Sequence, residues 1–174
     1  MKTIRFLVPL LLLSPLGADD FDAFREGSAE QRGRLARIEG KAAPDFKIAD
    51  WIGSEPKTLA DLKGKIVVLD FWATWCGPCI ASIPKNNELA AKYAEEVVFI
   101  GVCHPRGAEK MEATVKNKGI KYPVAIDSAG KAGDAYKVNG YPDYYIIDRD
   151  GKLVVADCAN SKVGDVLKAL VGKQ

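Results

Sequence analysis

Histidine is almost missing from this chain: His104 is the single one in 174 residues. A site built from several imidazoles is therefore excluded, and any Cys-His-Asp triad would have to use His104. No Cys-x-x-Cys-His run occurs, which argues against covalently attached c-type haem. Neither sign of charge dominates: 25 basic and 23 acidic residues leave +2, too little for the electrostatic footprint of a nucleic-acid binder. Repeats and low-complexity tracts are lacking too. What is there is ordinary for a folded domain, 48% apolar and 28% charged, and the length predicts one domain.

Lys2 and Arg5 precede the apolar run Phe6–Leu13, which is followed by Ser14, Pro15, Leu16, Gly17 and Ala18 and then by Asp19-Asp20. The run is shorter than the roughly 20 residues that span a bilayer. A basic start, a short apolar core and a small residue before an acidic segment read as a secretory signal peptide, residues 1–18, cleaved after Ala18. The expected mature chain, residues 19–174, is formally neutral. A domain of this size buries roughly 68–70% of its unfolded surface and needs no disulfide staples. Its four cysteines, in an exported and hence oxidising setting, are better explained by chemistry than by scaffolding.

Residues 19–40 are polar, with Phe21, Phe24, Leu35 and Ile38 as sparse apolar positions, and read as a partly helical spacer. Phe46-Lys47-Ile48 alternates as a half-buried strand would. Residues 65–72 form a continuous apolar run, as expected for a strand buried on both faces. A helix follows to about Tyr93. Residues 97–102 predict a second buried strand, 107–118 a helix, 124–127 a short strand and 130–138 another helix. Residues 144–147 and 153–156, joined across Asp150-Gly151, predict a hairpin. Residues 161–171 close with a helix carrying Val163, Val166, Leu167 and Leu170 on one face. This order predicts an α/β layer fold, a central sheet with helices on both faces and the two buried parallel strands side by side.

Trp75-Cys76-Gly77-Pro78-Cys79 lies between a predicted strand and a predicted helix. A helix N-terminus offers free N–H groups and the positive end of the dipole, which stabilise a thiolate. The first cysteine would be exposed and attack; the second, one turn in, would be shielded and resolve the mixed disulfide. Pro78 fits the first turn, where its missing N–H has no helical partner. A zinc knuckle would need two more ligands than this spacing supplies, and a purely structural disulfide gains little from so small a loop.

These residues carry a resemblance. Leu69-Asp70-Phe71-Trp72-Ala73-Thr74-Trp75-Cys76-Gly77-Pro78-Cys79 resembles the active-site strand and turn of thioredoxins. Ala43-Pro44-Asp45-Phe46, Leu59–Lys65, Pro84, and Tyr136–Pro142 with Ile146-Ile147-Asp148 resemble the TlpA/ResA-like branch of exported thioredoxin-fold proteins, over about residues 41–171. The resemblance implies a thioredoxin-like fold over 41–174 with an N-terminal extension, and thiol–disulfide exchange outside the cytoplasm, periplasmic or otherwise extracytoplasmic. It implies Cys76 as attacking thiol, Cys79 as resolving thiol, Pro142 as the cis-proline facing the disulfide, and Tyr141 as backbone that pairs with an extended substrate. Asp70 matches the buried acid that exchanges the Cys79 proton; burial should raise its pKa. Trp75, Gly77 and Pro78 would border the substrate. A protein disulfide substrate and a membrane thiol donor are the implied partners; a monomer is expected, and no cofactor or metal is called for.

Two features depart from the family. Exported relatives carry Glu in a Cys-x-x-Glu-x-Pro stretch where this chain has Ser82, between Cys79 and Pro84. The extra Cys103 and Cys158 fall at the ends of predicted strands, at the same sheet edge as Cys76 but with other strands between them. They read as buried apolar residues, as a second redox pair, or, with His104, as a soft-metal site of a copper chaperone. A peroxidase is disfavoured, because Thr74 lies two residues before Cys76 where peroxide-reducing relatives place Thr three before.

Overall fold

The computed structural model describes residues 18–127 and 129–172, so the expected leader lies outside the described residues apart from Ala18. Along the chain run α1 (Ala29–Leu35), β1 (Ala49–Ile52), β2 (Ile66–Trp72), α2 (Gly77–Lys92), β3 (Val97–Cys103), α3 (Met111–Lys118), β4 (Val124–Ile126), α4 (Lys131–Tyr136), β5 (Asp143–Ile147), β6 (Leu153–Cys158) and α5 (Val163–Val171). Short 3-10 turns at Ala18–Phe24, Ala60–Leu62, Ala108–Lys110 and Asn160–Lys162 lie between or ahead of them.

The strands form one mixed sheet in the order β1-β4-β3-β2-β5-β6. β2 is buried at every position, as its unbroken apolar run requires. Its side chains alternate between two cores. Ile66, Val68 and Trp72 join Leu89 of α2, Met111 of α3 and Val166, Leu167 and Leu170 of α5. Val67, Leu69 and Phe71 join Leu35 of α1 and Ala132 and Tyr136 of α4. Helices thus cover both faces, and each fully buried Leu, Val or Ile contributes about 1.5–3 kcal/mol through area removed from water.

The topology gathers the chemistry at one sheet edge. β2 pairs in parallel with β3 and antiparallel with β5, and β5 pairs antiparallel with β6. The C-terminal ends of β2, β3 and β6 and the start of β5 therefore share an edge. Cys76 follows β2, Cys103 ends β3, Pro142 precedes β5 and Cys158 ends β6.

Two local expectations differ from the structure. The first strand begins at Ala49, beyond Phe46-Lys47-Ile48; it is a short edge strand with an irregular register to β4, and Asp50 takes a left-handed φ of 51°. Residues 19–40 are partly helical, as read, but they are docked rather than free. Phe21 and Leu35 each enter a core, Arg25 bridges Cys158, and Ala42 bridges Lys152. The sparse apolar residues of that segment suffice to seal the outer edge of β6, which would otherwise present an unpaired strand.

Candidate active site at the end of the central strand

Cys76 and Cys79 form a disulfide with a Cα–Cα distance of 5.3 Å. Cys76 is the N-cap of α2, and its Sγ accepts the Cys79 backbone N–H at 3.2 Å. An N–H aimed at that sulfur, with the helix dipole behind it, is what would stabilise a thiolate there. Pro78 sits in the first turn. The expected contrast in exposure is absent in the disulfide state: Cys76 is 5% exposed and Cys79 4%. The bonded sulfurs lie in the helix mouth, and Cys76 belongs to the same buried core as Cys79.

Asp70 lies on the face of β2 that meets α2. It is 3% exposed, and its Oδ2 accepts from Asn86 Nδ2 at 3.1 Å and Tyr122 Oη at 3.0 Å. Asn86 also donates to Tyr144 Oη at 3.0 Å. Burial pushes the Asp70 carboxyl up to about 7, against the lowering by those two hydrogen bonds. Asp70 Oδ1 and Asn86 Oδ1 have no donor within reach among the described residues. Cys79, Ser82, Ile83 and Asn86 are all buried on α2, the 3.6-residue repeat of its inner face. Ser82, in the position of the family's Glu, donates to the Pro78 carbonyl at 2.9 Å and accepts from Asn160 at 2.6 Å.

Across the edge, the Tyr141–Pro142 peptide is cis. The Tyr141 ring stands 5.3 Å from that of His104 and 6.0 Å from that of Trp75. Trp75 is 48% exposed, the one large apolar side chain exposed among the described residues. Its indole donates to the Arg106 carbonyl at 2.9 Å, and the Arg106 guanidinium lies 4.5 Å over its ring. Trp75, Tyr141, His104 and Arg106 thus make an aromatic and cationic rim beside the disulfide.

Reading the chain missed Asn86, Tyr122 and Tyr144 around Asp70, and Arg106 beside Trp75. Asn86 alone left a trace, a polar residue two turns along the buried face from Cys79.

The soft-metal reading of Cys103, His104 and Cys158 is corrected. No group of three His, Cys, Asp or Glu side chains converges among the described residues. β2 and β5 stand between β3 and β6, a gap of about 14 Å at the usual strand spacing. That gap also separates Cys103 from Cys158 as a redox pair, since bridged cysteines need Cα atoms within about 7 Å. Both thiols are free and buried, and burial pushes each up to about 12. His104 is turned into its own loop, where Nδ1 accepts the Arg106 N–H at 2.9 Å.

The AhpC/TSA family model matches residues 39–156. "Thiol-disulfide oxidoreductase ResA" of Bacillus thuringiensis is 39% identical over 159 residues, 88% of each chain. "Thioredoxin-like protein YneN" of Bacillus subtilis is 34% identical over 84% of this chain and 85% of its own. Among solved structures, a thiol:disulfide interchange protein of the thioredoxin family from Chlorobium tepidum superposes with a TM-score of 0.63 at 25% identity, covering 76% of this chain and 97% of that one. With a disulfide at the head of α2, a mixed sheet behind it and these relatives, the chain belongs to the AhpC/TSA family and is a thiol–disulfide oxidoreductase of thioredoxin-like fold.

Proposed function

We propose that this chain is an exported oxidoreductase that reduces protein disulfides. The observation that carries the reading is the Cys76–Cys79 disulfide at the N-terminus of α2, on the core face that also holds Asp70. In the reduced enzyme the Cys76 thiolate attacks one sulfur of a substrate disulfide. The substrate S–S bond breaks, a mixed disulfide forms, and the leaving thiolate takes a proton from solvent. Cys79 then gives its proton to the Asp70 carboxylate and attacks Cys76 Sγ. The mixed disulfide breaks, the second substrate sulfur leaves as a thiolate that takes a proton from solvent, and the enzyme is left oxidised. An acid that titrates near 7 is suited to taking and returning that proton at neutral pH.

Tyr141 and Pro142 offer extended backbone to the substrate, and Trp75, Gly77 and Pro78 border it. Regeneration calls for a thiol donor at the membrane, and the acting form is a monomer. The reducing direction is favoured by the Gly77-Pro78 pair and by Asp70. The test is the reduction potential of the Cys76–Cys79 pair, with insulin reduction by wild type and Cys76→Ser. A potential near that of thioredoxin, about −270 mV, is expected, and one near that of DsbA, about −120 mV, would overturn the direction. Unchanged turnover in Cys76→Ser would sink the mechanism. Cys79→Ala should accumulate mixed disulfides with substrate proteins.

A further inference from the structure

A second buried acid lies at the same edge, directly after the cis-proline. Asp143 opens β5, opposite Phe71 of β2, and is 3% exposed. Its Oδ2 accepts from Tyr145 Oη at 3.0 Å, while its Oδ1 finds no donor among the described N–H and hydroxyl groups. The carboxyl that acts on it most strongly is Asp157 of the neighbouring strand β6, buried as well. Two ionised carboxylates are acceptors only, so a hydrogen bond between them requires a proton.

The fold goes to some trouble to bring Asp157 there. The β5–β6 register shifts between Tyr144 and Ile146, and Asp157 takes a left-handed φ of 55°. Its carbonyl accepts the Glu26 N–H at 2.8 Å. A Cβ on Gly27, itself at φ 99°, would stand 2.7 Å from Asp157 Oδ2. The docked N-terminal segment thus closes over the pair.

The charged surroundings do not neutralise it. Glu26 adds negative potential at Asp143, and Glu39 does so at Asp157. Arg32 is the cation that acts on Asp157, but it also donates to Glu39 at 2.8 Å and to the Ala156 carbonyl at 2.7 Å. Arg25, which acts on the neighbouring Cys158, likewise donates to Glu39 at 2.8 Å. Tyr145, Tyr141 and Cys158 are the other titratable groups that feel Asp143, and all three are neutral at physiological pH. Burial is the largest cause pushing Asp143 up to about 8, with Asp157 next, and burial raises Asp157 too.

We propose that Asp143 and Asp157 share one proton, and that this bridged pair is a positioning element for the substrate-facing segment Tyr141–Pro142. The proposal rests on the exchange activity argued above and adds to it a second titration, separate from that of Asp70. While the proton is held, β6 and the N-terminal segment are tied to the residue that follows Pro142. When it leaves to solvent, two buried carboxylates face each other beside Glu26, and the start of β5 loses its tie.

The test uses the oxidised chain with carboxyl-13C-labelled Asp, as wild type, Asp70→Asn, Asp143→Asn and Asp157→Asn. Asn tolerates a left-handed φ, so the last of these keeps the backbone of β6. The expected wild type has two Asp carboxyls titrating above about pH 6, against about 3.9 for an unperturbed Asp. One is lost in Asp70→Asn and the other in Asp143→Asn. In Asp157→Asn the Asp143 titration should fall by at least about one pH unit, because an amide N–H replaces the repelling carboxyl. An Asp143 that titrates in the ordinary carboxylate range, or that ignores Asp157→Asn, overturns the shared proton.

Positioning is read from disulfide reduction. The ratio of kcat/KM for Asp157→Asn to wild type should rise about threefold or more between about pH 6.5 and about pH 9.5. A flat ratio leaves the pair with a structural role only and overturns the positioning claim. Absence of exchange at every pH would instead be a failure of the proposed function, with the carboxyl titrations still reporting on the pair.

Discussion

Asp70→Asn is the substitution whose consequence can be worked furthest. Burial holds the Asp70 carboxyl at about 7 in the folded protein, against 3.8 when it is free in water. Between those two values the folded chain binds a proton that the unfolded chain has released. Stability therefore falls as pH rises from about 4 to about 7 and is flat above. At about 1.36 kcal/mol for each pH step, the loss by pH 8 is about 4 kcal/mol. A neutral amide of the same shape escapes it. The amide oxygen can still accept from Asn86 and Tyr122, and its N–H₂ can meet Asn86 Oδ1, which lacks a donor in the wild type.

The variant should thus exceed wild type in stability by about 3–4 kcal/mol at pH 8, with the difference shrinking toward zero near pH 4. Urea unfolding of the oxidised proteins across that range measures it, with m-values compared to confirm that the same surface is exposed. A stability difference that does not change with pH would refute the reasoning, because it would mean that Asp70 is ionised in both states. The same variant should slow disulfide reduction at neutral pH by about 10²-fold, the lower end of a general base's contribution. More stable and less active together is the signature of a group kept in an unfavourable place for its chemistry.

Two further outcomes follow from the packing. In the air-oxidised native protein Cys103 and Cys158 should resist alkylation at pH 8, since burial pushes both thiols up to about 12, and unfolding without reductant should release two reactive thiols per chain. A count of zero would mean that a second disulfide forms after all. Gly101→Ala should cost about 1–3 kcal/mol, the usual penalty for overpacking, because its Cβ would stand 2.8 Å from Val124 Cγ1 and 3.3 Å from Tyr122 Cε2. Moving Tyr122 also loosens its bond to Asp70, which holds that carboxyl down, so a rise in the Asp70 titration should accompany the lost stability. A fully stable variant would show that the sheet yields at β3.

Much of the architecture could be read from periodicity. The runs that become β2 and β3 are apolar at consecutive positions, and only a strand covered on both faces tolerates that. α5 was legible from Val163, Val166, Leu167 and Leu170, spaced as one face of a helix and all buried. The first strand was misplaced by a few residues because an edge strand buries too little for its alternation to be decisive. Residues 19–40 read as a spacer because so few of their positions are apolar, yet Phe21 and Leu35 bury almost completely.

By itself the sequence pointed to the Cys76–Cys79 pair, the strand–turn–helix around it and a buried acid at Asp70, because each is set by neighbours along the chain or by a short motif. It could not determine which distant side chains surround them. Asn86, Tyr122 and Tyr144 meet around Asp70 only because α2, the segment leading into β4, and β5 converge there. The sequence left Cys103 and Cys158 open as buried residues, as a redox pair or, with His104, as a metal site, and the strand order set the two cysteines apart. Asp143 and Asp157, 14 positions apart and unremarkable as letters, became one acidic pair through a shifted register and a left-handed residue. The physical reason is common to all of these: chain-local chemistry is written in order, whereas burial and partnership are properties of packing, and packing is what decides where a carboxyl keeps its proton.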